Sequence, residues 1–91
     1  MISRRTEEFV DLLAELPAEV VKQAEEAYRV WSNNPSHPSL RFKKIQNLQN
    51  VWSVRVSRDY RALGAREGDT IVWFWIGSHA EYDQLLRARR R

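Results

Sequence analysis

Between Thr70 and Ile76 the chain reads Thr-Ile-Val-Trp-Phe-Trp-Ile, apolar at nearly every position, and then stops at Gly77-Ser78-His79. Such a run suits a strand covered on both faces at the centre of a sheet, so the rest of the chain must supply layers above and below it. One neighbour is legible upstream. Trp52, Val54 and Val56 alternate with Ser53, Arg55 and Ser57, so a strand there buries one face and turns hydroxyls and a guanidinium outward. A turn at Ser57 to Asp59 sends the chain back through Tyr60, Arg61, Ala62 and Leu63, placing a second arginine beside the first. The expected result is a buried platform with arginines, a histidine and a tyrosine gathered near one end.

The 91 residues allow one domain with room for one core, because chains of this size bury only a little over half of their unfolded surface. No cysteine is present, so neither a disulfide framework nor a thiolate metal site can support that core, which suits a reducing cytoplasm. Four tryptophans, three tyrosines and three phenylalanines supply core area instead. The amino end, Met-Ile-Ser-Arg-Arg-Thr-Glu-Glu, lacks the apolar run of a signal peptide. No segment approaches the roughly 18 apolar residues of a membrane span. The reading is a soluble, cytoplasmic protein with no membrane partner. Charge is divided unevenly: residues 1–39 carry four Lys or Arg against seven Asp or Glu, a net of −3, and residues 40–91 carry eleven against five, a net of +6. An anionic partner, nucleic acid or an acidic peptide, would be drawn to the second half, although basic surfaces also serve solubility alone.

Taken in order, Ile2 to Arg5 is an edge strand or an arm. Thr6 followed by Glu7 and Glu8 is a helix start, with a hydroxyl N-cap and acidic residues at the positive end of the dipole. Phe9, Leu12, Leu13 and Leu16 recur at helical spacing until Pro17 stops them. A second helix runs from Ala18 to about Ser32, with Val20, Val21, Ala24, Ala27, Tyr28 and Trp31 as its apolar stripe. A very short turn joins the two into a helical hairpin. Asn33 to Ser39 is a loop carrying an exposed His37. Leu40 to Ile45 alternates enough for a strand with basic residues on its open face, and the polar Gln46 to Asn50 is a turn. Arg66-Glu67-Gly68-Asp69 makes the last hairpin turn. Ser78-His79-Ala80-Glu81 has the form of a capping box. Tyr82, Leu85 and Leu86 then mark a short closing helix, with Arg87, Arg89, Arg90 and Arg91 at its negative end or in a tail. The expected class is α+β: a helical hairpin packed on one face of a small, mainly antiparallel twisted sheet of three to four strands, closed by a short helix.

At Trp-Ser-Val-Arg-Val-Ser-Arg-Asp-Tyr-Arg and Ile-Gly-Ser-His-Ala-Glu-Tyr the sequence resembles the RelE/ParE superfamily of bacterial toxin-antitoxin toxins, over almost the whole chain. The resemblance implies a RelE-like fold. In the RelE branch it implies a ribosome-dependent messenger RNA endonuclease that acts in the ribosomal A site without a metal and is neutralised by an acidic antitoxin. In the ParE branch the same fold poisons DNA gyrase. Arg61 looks like the arginine that holds the scissile phosphate, Arg55 stands where a lysine or arginine is frequent, and His79 falls where the family places an arginine or histidine. Ser53 replaces a basic residue of some members. The closing tyrosine of several nucleases has no clear equivalent: spacing puts Leu85 there, and Tyr82 lies one helical turn earlier.

Metal-free RNA cleavage needs an activated 2′-hydroxyl, charge stabilisation on phosphorus and a proton for the departing 5′-oxygen. Arg55 and Arg61 suit phosphate, His79 suits proton transfer, and Tyr82 could assist it or stack on a base. Lys43, Lys44, Arg41 and Arg58 are candidates for the RNA backbone. Plainer roles stand beside these. Arg61 could pair with Asp59 or Asp83, Arg55 could be a surface residue, His79 a helix-start residue, and Tyr82 part of the core. Gly-rich phosphate loops, paired histidines at ligand spacing, Gly-x-Ser-x-Gly turns and carboxylate clusters are missing, so no metal and no cofactor is expected. Two classes stay open: a messenger RNA nuclease, and a non-catalytic binder that inhibits gyrase or acts mainly through its antitoxin.

Overall fold

A computed structural model describes residues 1–89. The expected tail residues Arg90 and Arg91 lie outside the described residues. The elements are β1 (Ile2–Arg5), α1 (Glu7–Ala14), α2 (Ala18–Asn33), a single 3-10 turn (Pro38–Leu40), β2 (Lys43–Lys44), β3 (Val51–Ser57), β4 (Tyr60–Glu67), β5 (Thr70–Ser78) and α3 (His79–Arg89). Thr6 caps α1 through its hydroxyl, which accepts from Phe9 N at 3.1 Å, a bond that contributes about 1 kcal/mol. Pro17 is the N-cap of α2 and adds no side-chain bond there.

The α+β class is as the sequence implies, but the sheet has five strands, in the order β1-β5-β4-β3-β2. The amino-terminal segment takes the first of its two expected roles, an edge strand, and pairs in parallel with β5 from Ile2 opposite Thr70 to Arg5 opposite Trp73. All other pairings are antiparallel. The apolar strand β5 is therefore interior but not central, and β4 occupies the centre. The strand expected over residues 40–45 shrinks to Lys43–Lys44. Pro38 opens the 3-10 turn and Arg41 follows it in the left-handed region at φ 46°, which breaks the extended path.

Each face of the sheet is covered. On one, α1 lies over β5 and α2 over β3, enclosing Phe9, Trp31, Leu40, Val54, Ala62, Ile71, Trp73 and Ile76. Tyr28, expected in this stripe, is 49% exposed and stacks outside Trp31. Val30 packs on this core as well. Trp31 meets Phe42 and Trp73 edge to face at 5.9 and 5.4 Å, contacts that contribute beyond their buried area. On the other face Ile45, Leu63 and Tyr82 are buried beside Trp75, Leu85 and Leu86. Two clusters thus replace the one core expected from chain length. A break in register separates them: Leu63 pairs with Trp75 and Gly64 with Trp73, leaving Phe74 as the extra residue of a bulge. Strict alternation would send both tryptophans to one side. The bulge gives one to each core.

Gly64 is what lets Trp73 and Ile71 close over β4. A Cβ there would stand 2.7 Å from Ile71 Cγ1 and 2.9 Å from Trp73 Cε3, inside van der Waals contact. Gly64→Ala is therefore expected to lower stability by about 1–3 kcal/mol through overpacking, read as a fall in the urea midpoint at unchanged slope.

Candidate functional site

Cross-strand register decides which candidates meet. Arg55 on β3 pairs with Arg61 on β4, and residues directly opposite in a ladder project from the same face. That face is the one covered by α3. Gly77 on β5 pairs with Arg61 from the other side, and β5 passes straight into α3 through the capping box. Ser78 N donates to Glu81 Oε1 at 2.9 Å, and Glu81 N donates to Ser78 Oγ at 3.1 Å. His79 N donates to the Asp59 carbonyl at 2.7 Å, fastening the helix start to the β3–β4 turn. The two paired arginines and the start of the helix that carries His79 therefore lie at the same end of the sheet, beside the β3–β4 turn. Gly77 leaves room for the Trp75 indole, whose Cζ2 would stand 2.6 Å from a Cβ there.

Arg61 is held by backbone. Its Nη1 donates to the carbonyls of Ser57 at 2.6 Å, Tyr60 at 3.0 Å and Arg58 at 3.3 Å, so the guanidinium clamps the turn that joins its own strand to β3. Neither carboxylate foreseen as a partner, Asp59 or Asp83, makes an ion pair with it; Asp59 lies 3.8 Å from Arg58 Nε instead. Burial and then the Arg55 guanidinium lower the pKa of Arg61, with Arg41 adding to the effect, while Tyr82 and Asp83 oppose it. Four side chains thus act on Arg61. Its Nε and Nη2 make no hydrogen bond among the described residues, and Arg55 has no ion pair among them.

His79 is exposed, with Nδ1 3.1 Å from Asp83 Oδ2. Its ring centroid is 5.9 Å from that of Tyr82. Tyr82 is only 9% exposed and forms part of the second core, the plainer of its two expected roles. Asp83 is the member that sequence reasoning weighed only as a partner for Arg61. The signal that could have revealed it is the four-residue spacing from His79 on a helix, which brings the two side chains to the same face. Ser53, expected in an open hydroxyl row, is 3% exposed, because the second core covers that part of the sheet.

The candidates for backbone binding divide. Lys43 pairs with Ser53 and so shares the arginine face, whereas Lys44 pairs with Trp52 and faces the helices. Arg41 is near enough to act on Arg61, and Arg58 is open at the turn. His37 is exposed, as foreseen, and its Nδ1 accepts from Ser39 N at 3.2 Å. Two hollows lie away from the cluster: one of about 890 Å³ between the helices and the sheet, and one of about 500 Å³ around Asn50, Arg66 and Thr70. Among the described residues no group of three His, Cys, Asp or Glu could hold a metal ion, and no helix is long and apolar enough to cross a membrane. Chemically, the cluster offers guanidiniums for a phosphate and an imidazole for a proton.

A family model described as a ParE-like toxin domain matches residues 18–84. Among solved structures, a chain of the RelB-RelE antitoxin-toxin complex from Methanococcus jannaschii is similar at TM-score 0.73 and 22% identity, covering 90% of this chain and 96% of that one. YafQ from Escherichia coli BL21(DE3) is similar at 0.69 and 9% identity, covering 88% and 94%. The Staphylococcus aureus YoeB dimer gives 0.66 and 14% identity, covering 87% and 97%. At these identities the likeness is one of fold. No curated protein matches the chain.

The clamp and the cap each predict a stability effect. Arg61→Ala should cost about 1–3 kcal/mol by releasing three turn carbonyls, whereas Arg55→Ala should stay within about 0.5 kcal/mol, both read by chemical unfolding. The hydrogen bonds from Ser78 lower the Glu81 pKa below its ordinary 4.5. A depressed carboxylate stabilises the fold fully above the unfolded value, and that contribution disappears as pH falls through the folded value. Glu81→Gln should accordingly flatten the loss of stability below about pH 4.5, seen in melting temperatures across an acid titration.

Proposed function

The chain belongs to the ParE-like toxin domain family, and we propose that it is the toxin of a toxin-antitoxin pair that cleaves messenger RNA in the ribosomal A site. The observation that carries the reading is the cross-strand pairing of Arg55 with Arg61, with the backbone of His79 fastened to the turn that joins their strands. Three groups suited to phosphate and proton chemistry stand together without a carboxylate paired directly to either arginine.

In this reading Arg55 and the free edge of Arg61 bind the scissile phosphate and stabilise the charge that builds on it. Arg61 is already fixed by the turn carbonyls, so little ordering is lost when phosphate arrives. His79 exchanges the proton of the attacking 2′-hydroxyl. Tyr82, too buried to reach the substrate freely, supports the His79 ring from below. Lys43, Arg41 and Arg58 draw the RNA backbone along the same face, and Lys44, on the other face, takes no part. The ribosome supplies the rest of the alignment, which puts the work in the cytoplasm. The neutralising partner is an acidic antitoxin segment that covers the arginines; the similar Methanococcus jannaschii structure is an antitoxin-toxin complex, which supports a partner of that kind.

A second reading, inhibition of DNA gyrase, is favoured by two observations. The matching family model is ParE-like, and Leu85 and Tyr82 both pack into the second core instead of presenting a closing phenol.

Primer extension on messages from cells expressing the protein separates the two. The nuclease reading expects codon-linked cuts that fall about 100- to 1,000-fold with Arg55→Ala and His79→Ala, variants that leave the turn clamp intact. Intact messages accompanied by gyrase-trapped DNA breaks would establish the second reading instead.

A further inference from the structure

We propose that Asp83 is a positioning residue that holds the proton of His79 on Nδ1 and leaves Nε2 bare, so that His79 acts as the base toward the 2′-hydroxyl. The catalytic half of this inference rests on the nuclease reading above; the tautomer does not.

The geometry fixes the imidazole from two directions. Its backbone N donates to the Asp59 carbonyl at 2.7 Å, tying the residue to the β3–β4 turn. Its side chain reaches one helical turn forward, where Nδ1 lies 3.1 Å from Asp83 Oδ2. An ionised carboxylate can only accept, so the nitrogen facing it must be the donor. In a neutral ring the other nitrogen, Nε2, is then an acceptor with a free lone pair. An imidazole without such a partner favours the opposite arrangement, with its proton on Nε2, where it could not take one up. Asp83 therefore selects the form of His79 that can serve as a base.

The same carboxylate is near enough to Arg61 to oppose, weakly, the effect of burial on that guanidinium. Side-chain exposures of 47% for His79 and 42% for Asp83 leave the pair accessible from solvent, and the Tyr82 ring lies 5.9 Å away, centroid to centroid.

The reaction step balances without a further reagent. The 2′-oxygen forms a bond to phosphorus as its proton passes to Nε2; the bond from phosphorus to the 5′-oxygen breaks, and that oxygen takes a proton from water. The products are a 2′,3′-cyclic phosphate and a 5′-hydroxyl, and the imidazolium returns its proton to solvent.

The test reads the tautomer directly, by nitrogen-15 NMR of histidine-labelled full chain at about pH 9, well above the ordinary histidine pKa of about 6.5. The wild type is expected to show the proton of His79 on Nδ1, Asp83→Ala to move it to Nε2, and Asp83→Asn, which keeps an acceptor oxygen, to leave it on Nδ1. On programmed ribosomes, kcat for message cleavage should fall about 10- to 100-fold in Asp83→Ala, within the contribution of a general base, with KM unchanged and most of the rate kept by Asp83→Asn. A wild-type proton on Nε2 overturns the positioning role whatever the cleavage assay gives. A tautomer that flips in Asp83→Ala while cleavage continues at the wild-type rate overturns its catalytic consequence. If the tautomers behave as expected and the wild type cuts no RNA, Asp83 positions His79 and the nuclease reading is the one that fails.

Discussion

The structure depends on one dislocation in its β4–β5 ladder. A small chain without disulfides has little surface to bury, and a sheet covered on one side alone would leave half of its strand residues in water. Placing Phe74 as an extra residue turns Trp73 toward α1 and α2 and Trp75 toward α3, so one apolar run furnishes both layers. The arrangement tolerates no side chain at Gly64, because Ile71 and Trp73 already occupy that space. It also moves the carboxyl end of β5 to where α3 begins beside the β3–β4 turn. Core packing and site assembly are two results of the same register.

The site itself runs against simple stability. Like charges directly opposite one another on neighbouring strands are unfavourable, yet Arg55 and Arg61 are such a pair, and the second is partly buried as well. The fold offsets this with three carbonyls of a tight turn, which accept from Nη1 of Arg61. Asp83 lies close enough to temper the positive field without forming an ion pair with Arg61. A local arrangement that disfavours the fold and is held in place by several independent bonds is the pattern expected where a surface has work to do.

Much of this was open to a reader of the sequence. The Thr6 cap, the Pro17 break, the Ser78–Glu81 capping box and the alternation of Trp52, Val54 and Val56 all lie within a few residues of one another and obey local rules. The pairing of Arg55 with Arg61 followed from the short turn between them. Three things did not follow. The extra residue at Phe74 leaves no mark in a run that is apolar throughout. The dual use of Arg61, as clamp and as phosphate candidate, depends on carbonyls that every sequence possesses. The covering of Ser53 depends on Ile45 and α3 arriving from distant segments.

Local chemistry along the chain therefore determined where each helix starts and stops, which strands form the central hairpin, and which residue types are available to meet a phosphate, since propensity, capping and turn geometry act over a handful of neighbours. Tertiary structure alone decided that Ile2–Arg5 joins the sheet in parallel with β5, that Lys43 and Lys44 part to opposite faces, and that Asp83 comes near enough to Arg61 to act on it. Those outcomes are set by register and by the docking of elements remote in sequence, where a shift of one residue exchanges the two faces of a strand.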